Sequence, residues 1–149
     1  MSDPAQRAET AGRAKWHVLG AIAAGGALGG LARYAALVLW PAADGAFPWA
    51  VLGVNVTGSA LIGVLMVLVA ERDGKAHPLV RPFLGVGVLG GFTTFSTYAA
   101  DVARLLDRQE ALTAMAYAAA TLVGALGAVW AAAVATRALV GVRGGERPA

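Results

Sequence analysis

The sequence predicts an all-α membrane protein with four transmembrane helices per subunit, the third of them broken. Three observations carry this. Of 149 residues, 58% are hydrophobic and 14% are charged, against roughly a quarter charged in an average soluble domain. The charges are also segregated. Gly45–Ala70, Pro82–Ala100 and Ala111–Thr136 carry none, and Trp16–Ala43 carries only Arg33. A helix needs about 20 mostly apolar residues to cross roughly 30 Å of hydrocarbon, so these runs give helices at about 16–39, 48–70, 79–100 and 111–136. The third observation is the string Gly90-Gly91-Phe92-Thr93-Thr94-Phe95-Ser96-Thr97-Tyr98, which sets two glycines and four serine and threonine hydroxyls at mid-membrane depth and makes a poor helix interior.

The composition excludes several functions. With no cysteine, disulfide frameworks, cysteine zinc sites and cysteine nucleophiles are ruled out. The net charge of +3 suggests nucleic acid only until the charges are located, because they avoid most of the chain. The connections at 40–47, 71–78 and 101–110 are too short for a soluble domain. Residues 16–140 therefore form one membrane domain, flanked by tails at 1–15 and 141–149 that are expected to be disordered.

The first span is too long and glycine-rich for a simple signal peptide. Its Gly25-x-x-x-Gly29 and Gly26-x-x-x-Gly30 pairs imply a close helix crossing, since helices in lipid associate through small residues. Chance in a glycine-rich composition is the plain alternative for any one pair. Arg33 lies near the outer end of this span. It either snorkels to the interface or is a buried cation that draws anions or ties helices together. In the second span, Asn55 is followed by Thr57 and Ser59. Asn55 either holds the bundle by an interhelical hydrogen bond or offers an N–H to a passing anion.

In the third span the glycine-hydroxyl string is expected to break the helix and expose backbone groups, which are tolerated only when buried in protein or lining a cavity. Freed carbonyls can coordinate Na⁺. Phe95 and Tyr98 share a face if the second half is helical, and ring edges are electropositive. The fourth span is alanine-rich and includes Ala120-x-x-x-Gly124. Four such helices make a thin bundle, so an oligomer is expected.

No Asp or Glu falls within these spans, and Asp101 follows the third. Without an intramembrane carboxylate or histidine relay, passive conduction fits better than proton-coupled exchange or catalysis. Apart from Arg33, nine Lys and Arg residues lie on one side and two on the other, which places both termini in the cytoplasm.

The string at 90–98 resembles the signature of the small bacterial fluoride channels, the CrcB or Fluc family. Gly25-Gly26-Ala27-Leu28-Gly29-Gly30-Leu31-Ala32-Arg33-Tyr34 is similar to its first-helix motif. Phe47-Pro48 with Val54-Asn55-Val56-Thr57-Gly58-Ser59 is similar to its second, and Tyr117, Thr121 and Gly124 fit its fourth. The resemblance covers about residues 16–140. It implies an antiparallel, dual-topology homodimer in the bacterial inner membrane, exporting fluoride through two pores lined by both chains. Asn55 would line the pore, Phe95 would present its ring edge to fluoride, and Ser96 and Thr97 would add hydroxyls. Tyr117 and Thr121 would form a polar track. Backbone carbonyls of Gly90 and Thr93 from both chains would hold a structural Na⁺.

Two positions depart from the family. Tyr98 stands where a second phenylalanine is usual, and Ala50-Val51 replaces a usual Gly-Thr. Asp101 stands where an acidic residue is usual. The charge bias also departs, because a dual-topology homodimer should carry little. It leaves open a heterodimer with an oppositely oriented paralogue. Two other classes remain as alternatives. A small multidrug or guanidinium exporter uses a glutamate in its first helix, absent here. A non-transporting assembly subunit leaves the hydroxyl cluster unexplained.

Overall fold

The computed structural model describes residues 4–41, 46–70 and 77–144. The chain forms α1 (Pro4–Leu39), α2 (Trp49–Ala70), a π-helical stretch (Arg81–Leu89) that continues as one α-turn (Gly90–Phe92), together called α3, then α4 (Phe95–Asp107) and α5 (Ala111–Gly144). Segments Lys15–Leu39, Trp49–Val69, Arg81–Asp107 and Ala111–Gly141 are long and apolar enough to cross a membrane. These segments make the protein a multi-pass membrane protein.

The helix ends follow local chemistry. Pro4 is pre-set for a first helical turn, and Pro41 follows the end of α1, where it cannot continue the helix. Pro48 precedes α2 and its carbonyl accepts from the Leu52 N–H at 3.1 Å. Between α4 and α5, the N–H of Gln109 donates to the Leu106 carbonyl and that of Glu110 to the Leu105 carbonyl, both at 2.9 Å. This is a Schellman closure, and it holds Gln109 at φ 64°, a conformation usually given to glycine.

Three boundaries differ from the sequence expectation. α1 begins at Pro4, inside the segment expected as a tail, and α5 reaches Gly144. Residues 1–3 and 145–149 of the expected tails lie outside the described residues. The third span, expected at 79–100, runs to Asp107. Asp101 is therefore inside a membrane-length element and buried, which corrects the reading that every span is free of acid.

The helices pack as two pairs, α1 with α3 and α2 with α5, and α4 leans on α5. Glycine makes both pairs close. A Cβ on Gly87 would meet the Gly25 Cα at 2.9 Å, and one on Gly91 would meet the Gly26 carbonyl oxygen at 2.5 Å. Cβ atoms on Gly29 and Gly63 would run into the backbone carbonyls of Val88 and Val129. Gly30 faces open space, so of the two glycine pairs on α1 only Gly25 and Gly29 are both packing positions. The buried apolar cluster is small: Val51, Leu105, Ala114 and Tyr117. Many large apolar side chains are exposed, including Trp16, Trp40 and Trp49 near the ends of the first two membrane-length segments. That distribution suits a lipid surround, where tryptophan favours the interface.

Candidate functional site

The third membrane segment opens at Thr93 and Thr94. Gly90–Phe92 is still helical, then Thr93 has ψ 154° and Thr94 has φ −143°, ψ 120°, both extended. The glycines themselves do not break the helix. They let it lie against α1. The opening is held by hydroxyl and amide side chains.

Thr94 starts α4 as an N-cap. Its Oγ1 accepts from the Thr97 N–H at 3.2 Å and donates to Thr97 Oγ1 at 2.9 Å, with Ser96 Oγ at 3.4 Å. A threonine there satisfies one of the four orphan N–H groups of a helix start. The backbone of Thr94 is paired across the bundle. Its N–H donates to Asn55 Oδ1 at 2.9 Å, and Asn55 Nδ2 donates to its carbonyl at 3.1 Å. Asn55 is 9% exposed and Thr94 5%, so this two-bond clamp replaces water at a buried break. Asn55 keeps a second Nδ2 hydrogen.

The break releases the last carbonyls of α3 from the helical ladder, those of Gly90 and Thr93 among them. The N–H that would bond Gly90's carbonyl, that of Thr94, is turned to Asn55. The N–H that would bond Thr93's carbonyl, that of Thr97, is turned to Thr94 Oγ1. The Thr93 carbonyl instead accepts from Arg33 Nη1 at 3.2 Å. Arg33 is half-buried and ties α1 to the break.

Beside the opening lies a groove of about 570 Å³, walled by Asn55, Ser59, Thr93, Thr94, Phe95, Tyr98 and Thr121 among apolar residues of α2 and α5. Among the described residues, the Thr121 hydroxyl oxygen is buried without a close hydrogen-bond partner, and its polar neighbour is the Tyr117 hydroxyl. Phe95 is 79% exposed, a whole ring presented outward at the groove's edge.

An aromatic ladder runs away from it. The centroids of Phe95 and Tyr98 are 5.8 Å apart, those of Tyr98 and Tyr117 5.4 Å, and those of Tyr117 and Phe47 5.4 Å in edge-to-face contact. Tyr117 is fully buried and donates to Asp101 Oδ2 at 3.3 Å, while Asp101 Oδ1 pairs with the Arg104 guanidinium.

Of the residues singled out from sequence, Asn55, Phe95, Tyr98, Thr121 and Thr93 meet at the groove. Arg33 acts on the break from α1. Ser96 and Thr97 belong to the α4 cap, Tyr117 lies behind Tyr98, and Gly90 sits one turn before the opening. Thr94 and Ser59 also wall the groove. Thr94 had a signal, since a threonine two residues ahead of a serine-threonine pair can cap a helix.

Membrane-length helices, one of them opened beside a groove with polar side chains at the break, define a multi-pass membrane protein. The family described as CrcB-like protein, Camphor Resistance (CrcB), matches residues 20–133. Fluoride-specific ion channel FluC 2 of Streptomyces avermitilis is 54% identical over 122 residues, covering 79% of this chain and 77% of that protein. Fluoride-specific ion channel FluC 1 of Streptomyces coelicolor is 51% identical over 135 residues, covering 88% and 87%. Fluoride-specific ion channel FluC 2 of Thermobifida fusca is 51% identical over 125 residues, covering 84% and 92%. The chain belongs to the CrcB family, a family of ion channels and not of enzymes.

Proposed function

We propose that this chain forms a passive fluoride channel that exports cytoplasmic fluoride and relieves its toxicity, with the groove beside the broken helix as part of the pore. The observation that carries this reading is the juxtaposition at the break. An exposed Phe95 ring, the spare Asn55 N–H and the buried Thr121 hydroxyl border one groove. A small anion leaving water needs replacement donors along a narrow path, and here they are an amide, hydroxyls and ring edges. With a negative interior, one elementary charge gains about 2.3 kcal/mol per 100 mV, so an open path needs no coupled energy source.

Phe95 borders the groove yet is exposed in one chain, which favours a second copy to close the pore. An antiparallel dimer does this. The nine-to-two bias of Lys and Arg favours one insertion direction and supports a heterodimer with an oppositely oriented paralogue beside the homodimer. Fluoride flux from the chain purified alone selects the homodimer, and flux only after co-purification with such a paralogue selects the heterodimer.

A structural Na⁺ at the dimer centre fits the residues. The carbonyls of Gly90 and Thr93 are freed within one turn, and neutral backbone oxygens are the donors that unwound helices offer Na⁺. Na⁺ held there would supply fixed positive charge without being transported. Ser96, Thr97 and Tyr117 support the site through the α4 cap and the aromatic ladder.

The test of the ring is Phe95→Ile. Fluoride flux is lost while the variant elutes as the wild-type oligomer by size-exclusion chromatography. Undiminished flux removes the ring from the mechanism.

A further inference from the structure

Arg33 touches the oxygen on which the sodium reading depends. Its Nη1 donates to the Thr93 carbonyl at 3.2 Å, and it reaches there because α1 and α3 cross at glycine distance, with Gly91 against Gly26. Arg33 lies one turn beyond Gly29, on the stretch of α1 that runs over the end of α3. The end of a helix carries unpaired carbonyls and a partial negative charge, and the break places such an end inside the protein. Asn55 takes the Thr94 carbonyl, and Arg33 takes the Thr93 carbonyl. A carbonyl oxygen has two lone pairs, so one remains at Thr93 when the guanidinium is bonded.

We propose that Arg33 is a positioning residue that sets the strength of the sodium site. This rests on the sodium reading given above. The guanidinium has two opposed effects. It holds the Thr93 carbonyl in place, which keeps the break ordered at low sodium. It also sets a permanent positive charge beside the oxygen that takes Na⁺, and like charges a few ångströms apart repel. Na⁺ is therefore bound more weakly than the carbonyls alone would bind it, and the break depends on it less. Without Arg33, Na⁺ becomes both tighter and more necessary.

The experiment is thermal unfolding of the purified full chain in detergent, with Na⁺ titrated against N-methyl-D-glucamine at constant ionic strength. Wild type, Arg33→Gln and Arg33→Lys are compared. In wild type the midpoint temperature rises with Na⁺. In Arg33→Gln the Na⁺ concentration for half the rise falls about tenfold or more, as expected for removal of a nearby like charge, and the rise is larger. In Arg33→Lys, which keeps the charge, that concentration stays near wild type. A merely structural role for Arg33 lowers stability at every sodium level without moving the sodium midpoint.

An unchanged sodium midpoint in Arg33→Gln overturns the proposal while leaving the sodium reading intact. No sodium dependence in wild type overturns both. If Arg33→Gln is unfolded at low sodium, recovery at saturating Na⁺ supports the proposal, and failure to recover overturns it.

Discussion

Replacing Asn55 by alanine separates two jobs that one side chain performs. In the fold Asn55 makes both hydrogen bonds of a clamp on Thr94, accepting at 2.9 Å and donating at 3.1 Å. Alanine leaves a buried N–H and a buried C=O at Thr94 without partners. An orphaned buried polar group costs about 1–3 kcal/mol. Hydrogen bonds between membrane helices average only about 0.6 kcal/mol and reach about 1.7 in mutant cycles, because the unfolded state in the membrane also finds partners. The two bonds together then give a loss of about 1–4 kcal/mol. The assay is reversible unfolding in mixed micelles with increasing denaturing detergent, alongside fluoride flux. Asn55→Ala loses stability in this range and also loses flux. Ser59→Ala, a second wall of the groove, serves as the comparison and leaves stability unchanged. Wild-type stability in Asn55→Ala refutes the clamp and leaves Asn55 acting on the ion alone.

Other outcomes follow from the geometry. Gly91→Ala drives a Cβ to 2.5 Å from the Gly26 carbonyl and lowers stability by about 1–3 kcal/mol, whereas Gly30→Ala, facing open space, does not; the same unfolding assay reads both. Tyr117→Phe removes a donor to buried Asp101 and costs about 1–2 kcal/mol, measured by thermal unfolding. Gln109→Gly relieves a positive φ and raises stability by about 1 kcal/mol, with flux unaffected. Tyr98→Phe keeps the ring between Phe95 and Tyr117 and retains fluoride flux in liposomes, while Tyr98→Ile reduces it.

The span count and the existence of the break were legible because both are written in short-range composition. The second span is the clearest case: 48–70 against Trp49–Ala70. What periodicity could not place was the break itself. Gly90 and Gly91 look like the weak point, yet they remain helical because the Gly91 backbone lies against α1. The opening falls two residues later, where Thr94 caps the Thr97 N–H and finds a partner in Asn55 on another helix. Such long-range pairs leave no periodic trace. The same blindness hid Asp101. A charged residue reads as the end of a span, but Tyr117 and Arg104 satisfy this carboxylate inside the helix pair. The π-helical winding of Arg81–Leu89 likewise has no signal beyond Pro82, Gly85 and Gly87. Of the residues that meet at the groove, Asn55 and Thr93 were legible as polar exceptions in apolar spans, where intramembrane function concentrates; Phe95 and Tyr98 were legible as rings beside the hydroxyl cluster, and Thr121 only through the family resemblance.

If the groove beside the broken helix is part of the pore, it passes fluoride and excludes chloride. Liposomes are loaded with equal fluoride and chloride and reconstituted with the chain, alone and together with an oppositely oriented paralogue. Ion electrodes then follow efflux of each ion after the membrane potential is released. Rapid fluoride efflux with chloride retained is the expected result in at least one preparation. Equal loss of both ions, or no fluoride efflux from either preparation, contradicts it.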